Sequence, residues 1–146
     1  MNIKNKIFKY FSFSLFFVFL LNSLASLFFW YASMHQFDLL MHFLGGFTAA
    51  IFSFWLIYKK SVFWIESEKK GKLFRVILLM VLIIALLWEV LEFSVQGYFD
   101  VTVLADLPDS LSDVLIGLAG GILGTAFAVT RYKKYRNEEP INICIN

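Results

Sequence analysis

The sequence predicts an all-α protein, a four-span transmembrane helix bundle with its N-terminus and C-terminus in the cytoplasm. Its 146 residues are 60% hydrophobic, above the usual globular share of about 45–50%. Apolar runs recur four times, each near the ~20 residues that cross a bilayer as a helix. All 13 Lys and Arg residues lie at the N-terminal tip, in the segment 59–75 or in the C-terminal segment 131–136. Basic flanks of this kind mark the cytoplasmic side of a membrane.

The four spans follow one another along a single domain, residues 1–136, ahead of a loosely ordered cytoplasmic tail, residues 137–146. The predicted spans are 11–31, 39–58, 73–96 and 111–132. The apolar run of the first span exceeds the 7–15 residues of a cleavable signal peptide, so we expect it to be retained. Aromatic residues near span ends, such as Trp30 and Tyr58, suit the membrane interface.

The loops differ in charge. The outer loops, 32–38 and 97–110, contain several Asp residues and no Lys or Arg. The inner loop, 59–72, is basic and contains the apolar stretch 62–65, which is read either as an interfacial amphipathic turn or as part of a hydrated linker. Because the basic residues flank apolar spans, the formal charge of +2 indicates lipid contacts and not nucleic-acid binding. Cys144 is the lone cysteine, so an internal disulfide and a cysteine zinc site are both excluded.

Ionisable residues occur at the outer ends of three spans, where burial in a bilayer is costly. Insertion scales place an Asp at mid-helix at about +2.5 to +3.5 kcal/mol. The residues are spaced three or four apart and therefore share one helix face within each pair. The pairs are Asp38 with His42, Glu89 with Glu92, and Asp109 with Asp113. We predict an outward-facing polar pocket of these six residues, with Asp38 and Asp109 at its rim.

Small residues continue the polar faces of spans two and four toward the membrane interior. Small residues spaced four apart allow helices to approach closely. The predicted packing glycines are Gly45, Gly46, Gly117, Gly120, Gly121 and Gly124. The simplest arrangement turns the three polar faces toward one another.

Simpler roles remain open for each polar residue. Asp38 can cap span two, and Ser110-x-x-Asp113 matches a capping box for span four. His42 can serve as a structural hydrogen-bonding group. Glu89 and Glu92 lie too far into span three for a cap, so their alternative is a hydrogen bond to a neighbouring helix.

The order of these motifs resembles the VanZ-like and YjdF-type small bacterial membrane proteins, over residues 38–124. The motifs are Asp38-x-x-x-His42-Phe43-x-Gly45-Gly46, Trp88-Glu89-x-x-Glu92 and Asp109-x-x-x-Asp113-x-x-x-Gly117-x-x-Gly120. The paired glutamates are closer to the YjdF type. The outer loop before Asp113 lacks the basic residue usual in VanZ-like proteins, and Gly117 stands where those proteins commonly have Asn. The resemblance implies a multi-pass protein of the bacterial cytoplasmic (inner) membrane.

Several functions fit this pattern. The pocket can bind an envelope lipid head group, a cell-wall ligand or a cation. In a second hypothesis, His42, Glu92 and Asp113 hold a divalent metal as the cofactor of an intramembrane hydrolase, with Glu89 as general base. A single His among carboxylates suits manganese or iron better than zinc. Proton- or cation-coupled transport and assembly through the glycine face complete the alternatives, so the question of an enzyme stays open. The expected partners are the bilayer and a second copy of the chain.

Overall fold

The computed structural model describes residues 3–34, 36–60, 70–98 and 107–138. Within these residues the chain forms five helices and no strand. They are α1 (Ile3–Leu27), α2 (Trp30–Ser33), α3 (Gln36–Lys60), α4 (Lys70–Tyr98) and α5 (Leu107–Glu138). The four long helices are each apolar and long enough to cross a membrane, so the predicted all-α, four-span fold is confirmed. The cytoplasmic position of the termini stays a prediction.

Helices α3 and α5 run parallel to each other, and α1 and α4 run in the opposite direction. The direction of α1 follows from its contacts, because Phe8 packs on Trp55 near one end and Ser14 bonds Thr48 further along. The bundle therefore has a basic end, where Lys59 and Arg131 lie, and an acidic end, where the ionisable residues of the three predicted motifs lie. We use these two names below.

The central pair α3 and α5 makes the most extensive helix contact in the described structure. A Cβ added at Gly46 would collide with the carbonyl of Gly117, and one added at Gly120 would collide with the carbonyl of Phe43. The two backbones therefore touch directly, as small-residue interfaces allow. Gly45 differs, since a Cβ there would meet no atom within 4 Å.

The other two predicted packing glycines also lie in crowded surroundings. A Cβ at Gly121 would lie 2.8 Å from a methyl group of Val81 on α4. A Cβ at Gly124 would lie 3.0 Å from the Cβ of Ala50 on α3. The glycine residues of α5 thus pack against both α3 and α4.

The apolar core lies in the half of the bundle nearer the basic end. Phe54 and Ile51 of α3, Ile77 of α4 and Tyr132 of α5 are buried there. Helices α1 and α4 flank the central pair and make no close backbone approach to each other among the described residues. Their outer faces expose many large apolar side chains, as expected of surfaces that contact acyl chains.

The first span ends earlier than predicted. Helix α1 stops at Leu27, and the chain turns at Phe29, whose φ of 56° lies in the left-handed region. Trp30 and Tyr31 then pack against Phe37 at centroid distances of 5.4 and 5.3 Å. Hydropathy continues through this aromatic turn, which is why the sequence extended the span to residue 31. The predicted inner-loop turn at 62–65 lies outside the described residues, as does the tail from residue 139 on.

Candidate functional site

The side chain of His42 lies between three carboxylates from three helices. Its Nε2 atom is 3.7 Å from Asp38 Oδ2 and 3.8 Å from Asp113 Oδ2, and its Nδ1 atom is 3.6 Å from Glu89 Oε1. Glu92 also lies near the ring, on the Glu89 side. We call these five residues the His42 cluster: Asp38, His42, Glu89, Glu92 and Asp113.

Helix geometry explains why these residues meet. His42 follows Asp38 by four residues on α3, so both side chains lie on one face. His42 and Asp113 are each six residues from the first residue of their helices, about 9 Å along the axis at about 1.5 Å per residue. Since α3 and α5 are parallel and in backbone contact, equal depth places the two side chains side by side.

Two carboxylate oxygens of the cluster are buried without hydrogen-bond partners. The side chains of His42 and Asp113 are only 7% and 6% exposed, and that of Glu89 is 15% exposed. Glu89 Oε1 and Asp113 Oδ1 are buried oxygens that accept no hydrogen bond. Unsatisfied buried oxygens of this kind cost about 1–3 kcal/mol each, and more when they are charged.

No Lys or Arg on the described helices lies close enough to neutralise this cluster. The nearest one on each of the three helices, at positions 59, 75 and 131, is 14 to 18 residues away. This separation is about 21–27 Å along the helix axis. Four carboxylates around one imidazole cannot all be ionised there without a shared proton or a bound cation.

The ligand atoms divide into two overlapping trios that suit a metal ion. Asp38, His42 and Asp113 form one, and His42, Glu89 and Glu92 form the other; within each, the atoms lie within 4.8 Å of one another. Neither trio is the predicted combination of His42, Glu92 and Asp113. The two ring nitrogens face different helices, since Nε2 is nearest to Asp113 of α5 and Nδ1 is nearest to Glu89 of α4.

The two separations at Nε2 are those to compare with ligands that share one ion. Two ligand atoms about 2.1 Å from a tetrahedral metal lie about 3.4 Å from each other. The Asp38 and Asp113 oxygens lie 3.7 and 3.8 Å from Nε2, slightly wider than that, and the Glu89 oxygen lies 3.6 Å from the other nitrogen, Nδ1. These separations exceed the usual hydrogen-bond range, so direct hydrogen bonding does not account for the arrangement.

Asp109 and the two capping alternatives complete the sequence expectations at this end of the bundle. Asp109 is exposed and belongs to neither trio. Ser110 is the fourth residue of α5 and Asp38 the third of α3, so neither occupies the N-cap position that the capping alternatives require. Asp38 instead directs its carboxylate toward His42.

Tyr31 is a neighbour of the cluster that the sequence did not indicate. Its hydroxyl donates a hydrogen bond of 2.7 Å to Asn22 Oδ1. Partial burial raises the pKa of the Tyr31 phenol, and the nearby charges of Asp38 and Glu92 raise it further. The sequence offered only an aromatic residue at a span end, which is equally typical of a lipid interface.

The proximity of Tyr31 to Asp38 predicts a measurable change in the pKa of Tyr31 when the Asp38 charge is removed. Because the Asp38 charge opposes formation of the phenolate, Asp38→Asn should lower the pKa of Tyr31 toward its ordinary value of 10.0 without reaching it, since burial is the larger cause. The measurement is the tyrosinate absorbance difference between each protein and its Tyr31→Phe derivative as pH rises. Asp109→Asn is the matched control and should leave the titration unchanged. An unmoved pKa in Asp38→Asn would contradict the placement of Tyr31 over the cluster.

Together, the fold and the cluster define a small multi-pass membrane protein with a buried acidic and histidine site at one end of its bundle. The chain belongs to the family described as "Predicted membrane protein (DUF2238)", whose match covers residues 4–134. No curated protein and no solved structure matches the chain.

Proposed function

We propose that this membrane protein binds a divalent cation in the His42 cluster. The observation that supports the proposal most directly is the placement of the His42 ring among three carboxylates at 3.6–3.8 Å. The unpartnered buried oxygens of Glu89 and Asp113 add to it, because a cation would satisfy both their charge and their lone pairs. One imidazole with several carboxylates favours manganese or ferrous iron over zinc.

The orientation of the site follows from the distribution of charge. Every Lys and Arg on the described helices lies toward the basic end, so this end faces the cytoplasm by the positive-inside rule. The acidic end then opens on the outer side of a bacterial cytoplasmic membrane, which is also what the VanZ-like and YjdF-type resemblance implies. A cation held there would offer its open coordination positions to an anionic lipid head group or a cell-wall ligand.

Metal-dependent hydrolysis is a second candidate function, and Glu89 favours it. Glu89 is the carboxylate nearest the Asp38, His42 and Asp113 trio that is not part of it, and its buried Oε1 accepts no hydrogen bond. A carboxylate so placed suits the general base for an ion-bound water. Binding of the cation is the common requirement of both candidates and is therefore tested first.

The test is direct binding of Mn²⁺ to purified protein, stripped of metal by chelation and followed by calorimetry and elemental analysis. We expect a saturable site lost in His42→Ala and weakened about 100-fold or more in Asp113→Asn, because removal even of an outer-shell partner typically costs 10–100-fold in affinity. Asp109→Asn, an exposed carboxylate one turn away, is the matched control and should bind as the natural protein does. Equal affinity in the natural protein and His42→Ala would refute the proposal.

A further inference from the structure

A second site lies at the basic end, in a groove between α1 and α3. A cavity of about 290 Å³ is lined there by Asn5, Phe8, Trp55 and Lys59. We propose that this cavity binds the head group of an anionic phospholipid. The proposal is independent of the His42 cluster, which lies at the opposite end of the bundle.

The cavity combines a cation with an aromatic floor. The Lys59 Nζ atom lies 5.2 Å from the centroid of the Trp55 ring, within the range of a cation–π interaction. The Trp55 ring in turn packs on Phe8 with a centroid distance of 5.0 Å. Lys59 is exposed, so its ammonium group is held above the rings while it stays accessible to a phosphate.

The aromatic floor continues toward the middle of the membrane. Phe8 contacts Phe11 at 6.0 Å, and Phe11 contacts Phe52 of α3 at 4.9 Å. The four rings form an apolar strip along the α1–α3 groove below the ammonium group. A charged head above an apolar strip matches the two parts of a phospholipid, a phosphate and an acyl chain.

Charge complementarity selects an anionic lipid. Every acidic side chain that the structure describes lies at the acidic end, on residues 38, 89, 92, 109 and 113. No described carboxylate therefore competes for Lys59 or repels a phosphate at the groove. Basic pockets between transmembrane helices on this side of a membrane are typical sites for anionic head groups.

The fluorescence of Trp55 can report lipid binding at the cavity. A protein with Trp30→Phe, Trp64→Phe and Trp88→Phe retains Trp55 as its single tryptophan. It is reconstituted into vesicles that contain acyl-brominated phosphatidylglycerol or acyl-brominated phosphatidylcholine, and quenching of Trp55 gives the relative affinity of each lipid. We expect phosphatidylglycerol to be preferred about fivefold, the ratio that about 1 kcal/mol per basic residue near a surface gives.

Lys59→Gln should abolish the preference while quenching by phosphatidylcholine persists, which also shows that the groove is intact. The matched control is Lys133→Gln, an exposed lysine on α5 at the same end of the bundle, and it should retain the fivefold ratio. Equal quenching by the two lipids in the protein with Lys59, or an unchanged preference in Lys59→Gln, would overturn the proposal.

Discussion

Gly46→Ala is expected to prevent stable packing of the bundle, whereas Gly45→Ala, one residue away, is expected to be tolerated. The Cβ of alanine at position 46 would collide with the Gly117 carbonyl, a backbone atom that cannot rotate aside. Overpacking usually costs about 1–3 kcal/mol, and separating two helices costs more because the layers around them lose contact as well. At position 45 there is open space, and alanine there gains up to about 1 kcal/mol of helix propensity.

The comparison needs only the midpoint of thermal unfolding in detergent and the elution profile of each purified variant. Gly120→Ala should behave like Gly46→Ala, since its Cβ would meet the Phe43 carbonyl. Similar midpoints for Gly45→Ala and Gly46→Ala would show that the α3 and α5 backbones are not in contact at this crossing.

Asp113→Asn is expected to be more stable than the natural protein without a cation and less stable than the natural protein with a cation. Without a cation, the substitution removes a buried carboxylate whose Oδ1 has no partner and relieves repulsion within the cluster. The amide has no charge, so its buried oxygen costs less than that of the carboxylate, and a gain in stability follows. With Mn²⁺ at about 100 times its dissociation constant, the natural protein gains about 2.7 kcal/mol from binding, and the variant gains much less.

Unfolding midpoints measured with a chelator and with Mn²⁺ test this reversal. Asp109→Asn removes the same charge from an exposed position of the same helix and should change neither midpoint by much. If Asp113→Asn lowers stability equally in both conditions, the carboxylate acts as a structural hydrogen-bonding group and not as a cation ligand.

The four membrane helices were predictable because bilayer thickness imposes a length and a composition that are visible in the sequence. The end of the first helix was not. Residues 27–30 are all apolar, so hydropathy does not indicate the turn at Phe29. The turn is stabilised by tertiary contacts of Trp30 and Tyr31 with Phe37, and single-sequence periodicity does not report such contacts.

The approach of His42 to Glu89 and Asp113 was also predictable, from helical spacing and equal depth. The division into two trios was not, because it depends on how far each helix is rotated about its axis. The same limit applies to Gly45 and Gly46, which are indistinguishable as small residues yet differ in whether α5 lies against them. The cation-binding role of the cluster stays a prediction.

The Gly46–Gly117 crossing has a mechanical consequence for the cluster. The crossing lies four residues below His42 on α3 and four below Asp113 on α5, one helical turn in each case. With backbone against backbone, no layer of flexible side chains can yield between the two helices. The spacing of imidazole and carboxylate is therefore set by the scaffold in advance. At the proposed cation site, an ion whose radius suits that gap would bind with little reorganisation, and one that is too large would have to force the helices apart.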